Sequence, residues 1–462
     1  MNHKTEDSLT QNNLMPALAR QVRKAMRHYQ VPGLALGVLH CGQEYTSGFG
    51  VTSIENPLPV TANTLFQIGS ITKTFTGTAI MRLIEMGRLD LDTPIRRWLP
   101  LFRLQDEEVA CNVTLRHLLT HTGGWMGDYF DDLGWGDDAL SAMMGRLSAL
   151  PQLTPLGQLF SYNNAGFYLA GRLIEIASGQ TYESALKELV LEPLGLETSF
   201  FYPDDVMSRR FVVGHQIESG VLKVCRPWAI GRAGHPVGGL VSNVKDLLCY
   251  ARFHLGDGSL PGGERLLQEQ SMAKMKQPQI ATGRAGEQVG ITWMVQQVTG
   301  QTIIGHGGAT NGQTARLSIV PEKQFALAIL TNADRGDELI REICRWIYKA
   351  YLGLLEPRPI LLKLTESQLK RYAGKYSSLM NDIILKMNAG GLMLETNPKG
   401  GFPRRDSPPS SAPPPARLGF SAADRVVGLD EPLKDSTGDF LYQQDGSVAW
   451  FRFGGRLHAR ID

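Results

Sequence analysis

The stretch FQIGSITKTFTG, residues 66–77, contains a serine followed three places later by a lysine, Ser70 and Lys73. From Ser70 to Met86 the apolar residues recur at helical spacing, which predicts a helix that begins near the serine and buries one face. Residues three apart on a helix have Cβ atoms roughly 5 to 6 Å apart, so the lysine amine can reach the serine hydroxyl. The start of a helix also favours developing negative charge.

A serine hydroxyl is a weak nucleophile until a neighbouring base takes its proton. Lysine is an unusual base, because its ordinary pKa of about 10.4 keeps it charged near neutral pH. Burial or a nearby cation lowers that pKa by the required amount, and a tyrosine close by could share the proton. The surroundings of Ser70 and Lys73 therefore decide whether they are a nucleophile and its base.

The same serine–lysine spacing occurs four more times, and ordinary structural roles account for each. Ser242 is predicted to cap the helix that follows it, and Ser184 to lie on the solvated face of a helix. Ser70 differs because Gly69 precedes it and small or hydroxyl-bearing residues surround it. The four other pairs are Ser184/Lys187, Ser242/Lys245, Ser271/Lys274 and Ser367/Lys370.

Two further segments carry candidate functional groups. FSYNNAGF, residues 160–167, holds Tyr162 and Asn164 in a loop before a helix, where both can face a cleft; the alternative is a core-edge tyrosine and a helix-capping asparagine. GHGGAT, residues 305–310, lies on a predicted strand. Its glycines would let a substrate backbone approach, and the Ala309 amide could donate to an oxyanion.

The chain of 462 residues is long enough for one large and one small domain. Its 47 basic and 45 acidic residues give a net charge of +2 without a long basic run, which argues against a nucleic-acid partner. Five widely spaced cysteines suit reduced thiols.

The amino terminus lacks the apolar run of a secretory signal, and no stretch of ~18 apolar residues follows, so we expect a cytoplasmic protein without a membrane partner.

Strands at both ends of residues 1–355, with helices between them, predict an antiparallel sheet built from the two ends and an inserted helical region. Residues 356–364 read as a linker. Residues 365–462 are rich in strands, with hairpin turns predicted at 389–391 and at Asp445–Gly446. A proline-rich segment at about 398–417 is predicted to be a mobile loop.

Neither a metal site nor a nucleophile elbow is indicated. His117 and His121 are four apart, but Leu118 follows the first histidine where the H-E-x-x-H motif has glutamate. Ser70 lacks the G-x-S-x-G surroundings of an α/β-hydrolase. We therefore expect no metal and no cofactor.

In chain order these segments resemble the serine β-lactamase and penicillin-binding-protein superfamily, most closely its class C-like branch of S12-type peptidases and family VIII carboxylesterases. The resemblance covers about residues 15 to 355 and includes VTLRHLLTHTGG (113–124) and PVGGLVSNVKDL (236–247). It implies an α+β fold, an α/β/α sandwich with an antiparallel sheet. LKRYAGKYSS (369–378) resembles the start of a lipocalin-like β-barrel appended to such enzymes.

The resemblance also implies a role for each matching residue. Ser70 would be the acylated nucleophile, Lys73 its base, and Tyr162 the general acid and base. His306 stands where many relatives have the lysine of K-T-G, which resembles the peptidase branches and makes efficient antibiotic hydrolysis doubtful. The remaining positions are Asn164 for the substrate amide, Gly308 for the K-T-G glycine, the amides of Ser70 and Ala309 for the oxyanion hole, and Gly238–Gly239 at the cleft border.

The function expected from these observations is that of a serine hydrolase. It would act on an amide, peptide or ester carbonyl through an acyl-enzyme on Ser70, in the manner of a D-peptidase. A carboxylesterase or acyltransferase remains an alternative, as does a non-catalytic ligand-binding or assembly-forming relative. The expected partner is a small molecule or short peptide, and a homo-oligomer stays open.

Overall fold

The computed structural model of the protein describes residues 11–355, 357, 359–388 and 391–462. The helices are α1 (Gln11–Tyr29), α2 (Thr72–Glu85), α3 (Glu107–Asn112), α4 (Leu115–Leu119), α5 (Ala139–Leu147), α6 (Ala165–Ser178), α7 (Tyr182–Leu186), α8 (Pro203–Val206), α9 (His235–Gly238), α10 (Val244–Leu255), α11 (Glu269–Lys276), α12 (Gly336–Leu352) and α13 (Glu366–Lys370).

The strands up to residue 331 are β1 (Gly33–His40), β2 (Gln43–Gly50), β3 (Phe66–Gln67), β4 (His215–Glu218), β5 (Val221–Val224), β6 (Val241–Ser242), β7 (Ile280–Ala281), β8 (Glu287–Val289), β9 (Met294–Val298), β10 (Gln301–Thr310), β11 (Gln313–Val320) and β12 (Phe325–Thr331). The later strands are β13 (Gly374–Ser377), β14 (Asn381–Asn388), β15 (Gly391–Pro398), β16 (Ala416–Ala422), β17 (Arg425–Gly428), β18 (Thr437–Tyr442), β19 (Val448–Phe453) and β20 (Arg456–Arg460).

The main sheet joins the two ends of residues 11–355. Its strand order is β2-β1-β12-β11-β10-β9-β8-β7, and the paired strands run antiparallel. Apolar residues of α1 and α12 cover one face, while α2, α6 and α10 pack in a second apolar core on the other face. The predicted α/β/α sandwich, with helices inserted between the terminal strands, is confirmed.

Helix α2 is the central helix of the second core. Every residue from Thr72 to Met81 is buried, although several are threonines. The threonine hydroxyls are paired: Thr76 with the Tyr182 hydroxyl at 2.8 Å, and Thr78 with the Tyr250 hydroxyl at 2.9 Å. Since buried polar groups are costly without partners, these bonds let a hydroxyl-rich helix occupy the core. The turn Gly69–Ile71, directly before α2, contacts β10.

A closed antiparallel barrel of eight strands, β13 to β20, follows the main sheet and is called the barrel below. Its interior is filled by side chains, among them Tyr376, Phe420, Phe440 and Phe451. The rings of Phe440 and Phe451 stack with centroids 4.7 Å apart. An eight-stranded barrel has an interior of the size that side chains fill, and here aromatic packing occupies it. The predicted small carboxy-terminal barrel is confirmed.

Local predictions were less exact than the architecture. Ser70 lies in a 3₁₀ turn, Gly69–Ile71, that precedes α2 rather than in the α-helix itself. The prediction that Ser242 caps α10 is wrong, because Asn243 accepts from the amides of Lys245 and Asp246. The tip of the first predicted hairpin turn includes residues 389 and 390, which lie outside the described residues.

Residues 399–415, all of them described, form neither helix nor strand. The Phe402 ring nevertheless packs against Phe130 of the large sheet-containing part, with centroids 4.9 Å apart. Arg404 lies 3.8 Å from Asp132 in the same neighbouring segment. The proline-rich segment thus contacts the long loop that precedes α5, while its mobility stays a prediction.

Across the described ranges, no helix combines the length and the apolar character needed to cross a bilayer.

Candidate active site

The structure brings Ser70 and Lys73 together. The Lys73 Nζ lies 3.0 Å from the Ser70 Oγ and donates a second hydrogen bond to the Val237 carbonyl at 2.6 Å. Ser70 is partly exposed, whereas the Lys73 side chain is fully buried. In the comparable Ser184/Lys187 pair the lysine is 67% exposed and faces Glu192. Among these two pairs, only Ser70 and Lys73 combine contact with burial.

Burial changes the acid–base character of Lys73. Removal from water is the largest cause that lowers the Lys73 pKa well below its ordinary value. The positive charge of Arg456 lowers this pKa further, and the Asp128 carboxylate partly opposes both. The surroundings therefore favour the neutral amine, which is the form that can accept a proton from Ser70.

Tyr162 lies against the same pair. Its ring stacks on His121 with centroids 4.2 Å apart, and the Lys73 Nζ is 5.1 Å from its centroid. The phenol oxygen is buried and completes no hydrogen bond to a described residue, although Ser70 lies close enough to lower the phenol pKa. Burial has the larger effect and raises the pKa of Tyr162, so the phenol keeps its proton at neutral pH.

Asn164 lies at the amino-terminal end of α6 but does not cap it. The capping role belongs to Asn163, whose side-chain oxygen accepts from the Gly166 amide at 2.9 Å. The Asn164 side-chain nitrogen instead donates to Asp128 Oδ1 at 2.6 Å. Asn164 thus occupies the N-cap position of α6, as the alternative predicted, but its side chain makes no capping hydrogen bond and instead bonds Asp128.

His306 lies on β10 and is 3% exposed. Its Nδ1 donates to the Gly307 carbonyl at 2.6 Å, which leaves Nε2 as an acceptor. Within the described part of the chain, the buried Nε2 has no hydrogen-bond partner. Burial is the largest cause that lowers the pKa of His306 to about 3, so the imidazole is neutral near pH 7.

The backbone around Ser70 and Ala309 forms a tight cradle. A Cβ atom added to Gly308 would lie 1.9 Å from the Ile68 carbonyl oxygen and 3.2 Å from the Ser70 amide nitrogen. Gly69 has a φ of +54°, and a Cβ there would lie 2.6 Å from the Ala309 amide nitrogen. The two predicted oxyanion-hole amides, of Ser70 and Ala309, therefore belong to segments in direct backbone contact.

Substituting Gly308 with alanine tests this cradle. The added methyl group meets backbone, so the strand must shift away from Ser70, and we expect kcat/KM to fall by about a hundredfold to a thousandfold, as for loss of an oxyanion donor. Gly307→Ala is the matched control, because its Cβ would have no neighbour closer than 3.8 Å. Equal activity of the two variants in steady-state assays would contradict the assignment of the cradle.

The residues that the sequence interpretation missed are His121, Asp128 and Arg456. His121 appeared only as half of an unlikely metal pair; its partner His117 instead bonds the Thr114 backbone amide in a capping box. No motif in the loop around Asp128 pointed to a functional role for this residue. Gly238 is predicted to border the cleft. A Cβ atom added to Gly238 would lie 3.3 Å from the Gly69 carbonyl carbon, so this glycine lies beside the turn that carries Ser70.

The model of the beta-lactamase family matches residues 18–343. Penicillin-binding protein 4 of Amycolatopsis lactamdurans is 33% identical over 352 residues, which cover 72% of this chain and 91% of the relative. Esterase EstB of Burkholderia gladioli is 33% identical over 213 residues, covering 43% of this chain and 54% of the relative.

A solved structure of SurE with D-Leu is similar over both parts of the chain. It has a TM-score of 0.73 and 26% identity, and the match covers 96% of this chain and 99% of that chain. The match of the family model and the identity to the penicillin-binding protein agree with the serine, lysine and tyrosine found together above. The chain belongs to the beta-lactamase family and is a serine hydrolase.

Proposed function

We propose that this serine hydrolase acts on amide carbonyls of short peptides that contain D-amino acids, through a covalent acyl-enzyme on Ser70. One observation carries the proposal: the buried Lys73 Nζ lies 3.0 Å from the partly exposed Ser70 Oγ, in surroundings that favour the neutral amine. The preference for D-amino acids is supported by the similarity to SurE, whose structure holds D-Leu, and to a penicillin-binding protein.

In the first step Lys73 takes the proton from the Ser70 hydroxyl while Oγ bonds to the substrate carbonyl carbon. The Val237 carbonyl holds one N–H of the amine, which leaves the lone pair free to face Ser70. The carbonyl oxygen becomes negatively charged, and the amides of Ser70 and Ala309 donate to it. The product of this step is a tetrahedral intermediate and a lysine ammonium.

In the second step the carbon–nitrogen bond breaks. Tyr162 gives its proton to the departing amine and regains one from the Lys73 ammonium, so the pair returns to its starting state. A phenol that keeps its proton until the leaving group needs it suits this role. Water then attacks the acyl-enzyme, with its proton taken by the same pair, and releases the acid; an amine in place of water would give acyl transfer.

A panel of substrates tests the proposed class. We expect D-amino-acid amides to be hydrolysed at least about tenfold faster than their L-enantiomers, since one favourable contact of roughly 1.4 kcal/mol gives that ratio. Nitrocefin should be a poor substrate, because a neutral imidazole at position 306 offers no positive charge to the β-lactam carboxylate.

An esterase is the second candidate, favoured by the 33% identity to esterase EstB. Short p-nitrophenyl esters belong in the same panel, with the Ser70→Ala variant as the background control. Hydrolysis of esters without any turnover of amides would contradict the peptidase proposal and support the esterase. Hydrolysis of both, with the D-amides preferred, is the expected result.

A further inference from the structure

The last hairpin of the barrel is bonded directly to the loop that carries Tyr162. The Tyr162 amide donates to the Gly455 carbonyl at 2.8 Å, and the Leu457 amide donates to the Ser161 Oγ at 3.2 Å. These residues are almost three hundred positions apart in sequence. The turn between β19 and β20 thus forms part of the wall around the candidate active site.

A buried ion pair anchors this hairpin. Arg452 Nη2 lies 2.6 Å from Asp439 Oδ2, and the two side chains are 7% and 9% exposed. Arg452 Nη1 also donates to the Phe160 carbonyl at 3.1 Å and to the Ala281 carbonyl at 3.4 Å. Because a guanidinium holds its donors in a fixed plane, these bonds set the position of β19 relative to the Tyr162 loop.

Arg456 extends from the same hairpin over the active-site residues. Its guanidinium carbon lies 4.9 Å from the centroid of the Tyr162 ring, within the range of a cation–π contact. It forms an ion pair with Asp128, in which Nε contacts Oδ2 and Nη2 lies 3.3 Å from Oδ1. Asp128 Oδ1 also accepts from the Asn164 side chain at 2.6 Å. One charge pair therefore contacts both Tyr162 and Asn164.

The pair fixes which way the Asn164 amide faces. A carboxylate held by a guanidinium can only accept hydrogen bonds, so the nitrogen of Asn164 must point to Asp128. The carbonyl oxygen of the same planar amide then points away from Asp128, where it can accept from a substrate N–H. Without the carboxylate, both orientations of the amide would be available.

Five titratable or charged groups from different parts of the fold lie near the Lys73 amine. They are Arg456 from the barrel, His121 and Asp128 from the segment that follows α4, Tyr162 from the loop before α6, and His306 from β10. Burial keeps the two imidazoles neutral near pH 7 by lowering their pKa, and the phenol keeps its proton. The charge pair therefore supplies the fixed charges that act on Lys73.

We propose that Arg456 of the barrel and Asp128 are positioning residues for the reaction at Ser70, with the pair orienting Asn164 and closing the site over Tyr162. This inference rests on the proposed acyl-enzyme function. It makes the barrel an integral part of the active site, because the arginine comes from β20 and its carboxylate partner lies 328 positions earlier.

The rate of Ser70 labelling by a fluorophosphonate probe, measured against pH, tests the proposal. The acid limb of this profile reports the ionisation of the free enzyme's base. Arg456→Met removes a positive charge that lowers the Lys73 pKa, so the limb should move to higher pH and labelling at the old midpoint should fall several-fold. Asp128→Asn removes a charge that raises this pKa, so the limb should move to lower pH.

Arg456→Lys keeps the charge and should keep the limb near its wild-type position, which separates charge from packing. Asp128→Asn should also raise KM for a D-amino-acid amide by about three- to tenfold, the range expected for one misoriented hydrogen bond. A matched control exists in the Arg417–Asp430 pair on the barrel surface, with Nη2 2.7 Å from Oδ1. Arg417→Met and Asp430→Asn should leave the profile unchanged.

Folded Arg456→Met and Asp128→Asn variants with the wild-type profile, or with shifts in the same direction, would overturn the proposal. If Arg456→Met does not fold, the direction of the Asp128→Asn shift alone decides between support and rejection. Failure of the proposed function has a different signature: the wild-type chain itself would not be labelled on Ser70 at any pH.

Discussion

Replacing Ser70 with alanine is expected to lower kcat on a D-amino-acid amide by about 10⁵- to 10⁶-fold, the scale seen when a serine nucleophile is removed from a group of residues that acts as a unit. The substitution deletes one partly exposed hydroxyl and leaves the 3₁₀ turn and α2 without a new buried group. We therefore expect the variant to fold normally and to lose activity through chemistry alone. Steady-state kinetics with a circular dichroism spectrum check both statements.

Ser184→Ala is the matched control for this experiment. Ser184 also precedes a lysine by three positions, but it is exposed on α7, where it accepts a hydrogen bond from the Thr181 hydroxyl at 3.0 Å. Its loss should leave kcat unchanged. A Ser70→Ala variant that keeps more than about one hundredth of wild-type activity would be incompatible with a covalent Ser70 intermediate.

Replacing Lys73 with methionine is expected to lower kcat/KM by about a hundredfold to ten-thousandfold, the usual contribution of a general base. The same change should raise the free energy of unfolding by about 0.5 to 2 kcal/mol, because relief from burying the amine outweighs the loss of its hydrogen bond to the Val237 carbonyl. Activity and stability thus move in opposite directions, as expected where burial is used to alter a pKa rather than to stabilise the fold.

Denaturant unfolding and labelling kinetics measure the two effects of Lys73→Met. Lys187→Met is the control, because this lysine has the same spacing from a serine but is 67% exposed and lies 3.5 Å from Glu192. It should change neither quantity by much, since exposed ion pairs contribute little. A Lys73→Met variant that is labelled at the wild-type rate would show that another group takes the Ser70 proton.

The architecture and the superfamily could be predicted from the sequence because both depend on patterns that are visible in the sequence itself, namely apolar periodicity and the order of short motifs. Helical spacing after Ser70 and apolar strands at the two ends of residues 1–355 indicated an antiparallel sheet with an inserted helical region, and the resemblance to the superfamily implied the sandwich; both are confirmed. The order of the Ser70, Tyr162 and His306 segments indicated the superfamily, and the family match over residues 18–343 confirms it.

The contacts that complete the site could not be predicted in the same way. Arg456 and Asp128 are 328 positions apart, and no sequence motif around either residue indicates a role in the active site. Their meeting depends on how the barrel docks, which local patterns do not encode. The capping error at Ser242 has a different cause: both Ser242 and Asn243 are residue types that cap helices, and Asn243 is the one directly before the helix start at Val244. The proposed boundaries of the two domains and the substrate remain predictions.

The most direct test of the central claim is peptide mapping by mass spectrometry after the folded wild-type chain reacts with a fluorophosphonate probe. We expect a single adduct, on the peptide that contains Ser70, and a strongly reduced adduct in the Lys73→Met variant. An unlabelled but folded wild-type chain, or an adduct on a different serine, would contradict it.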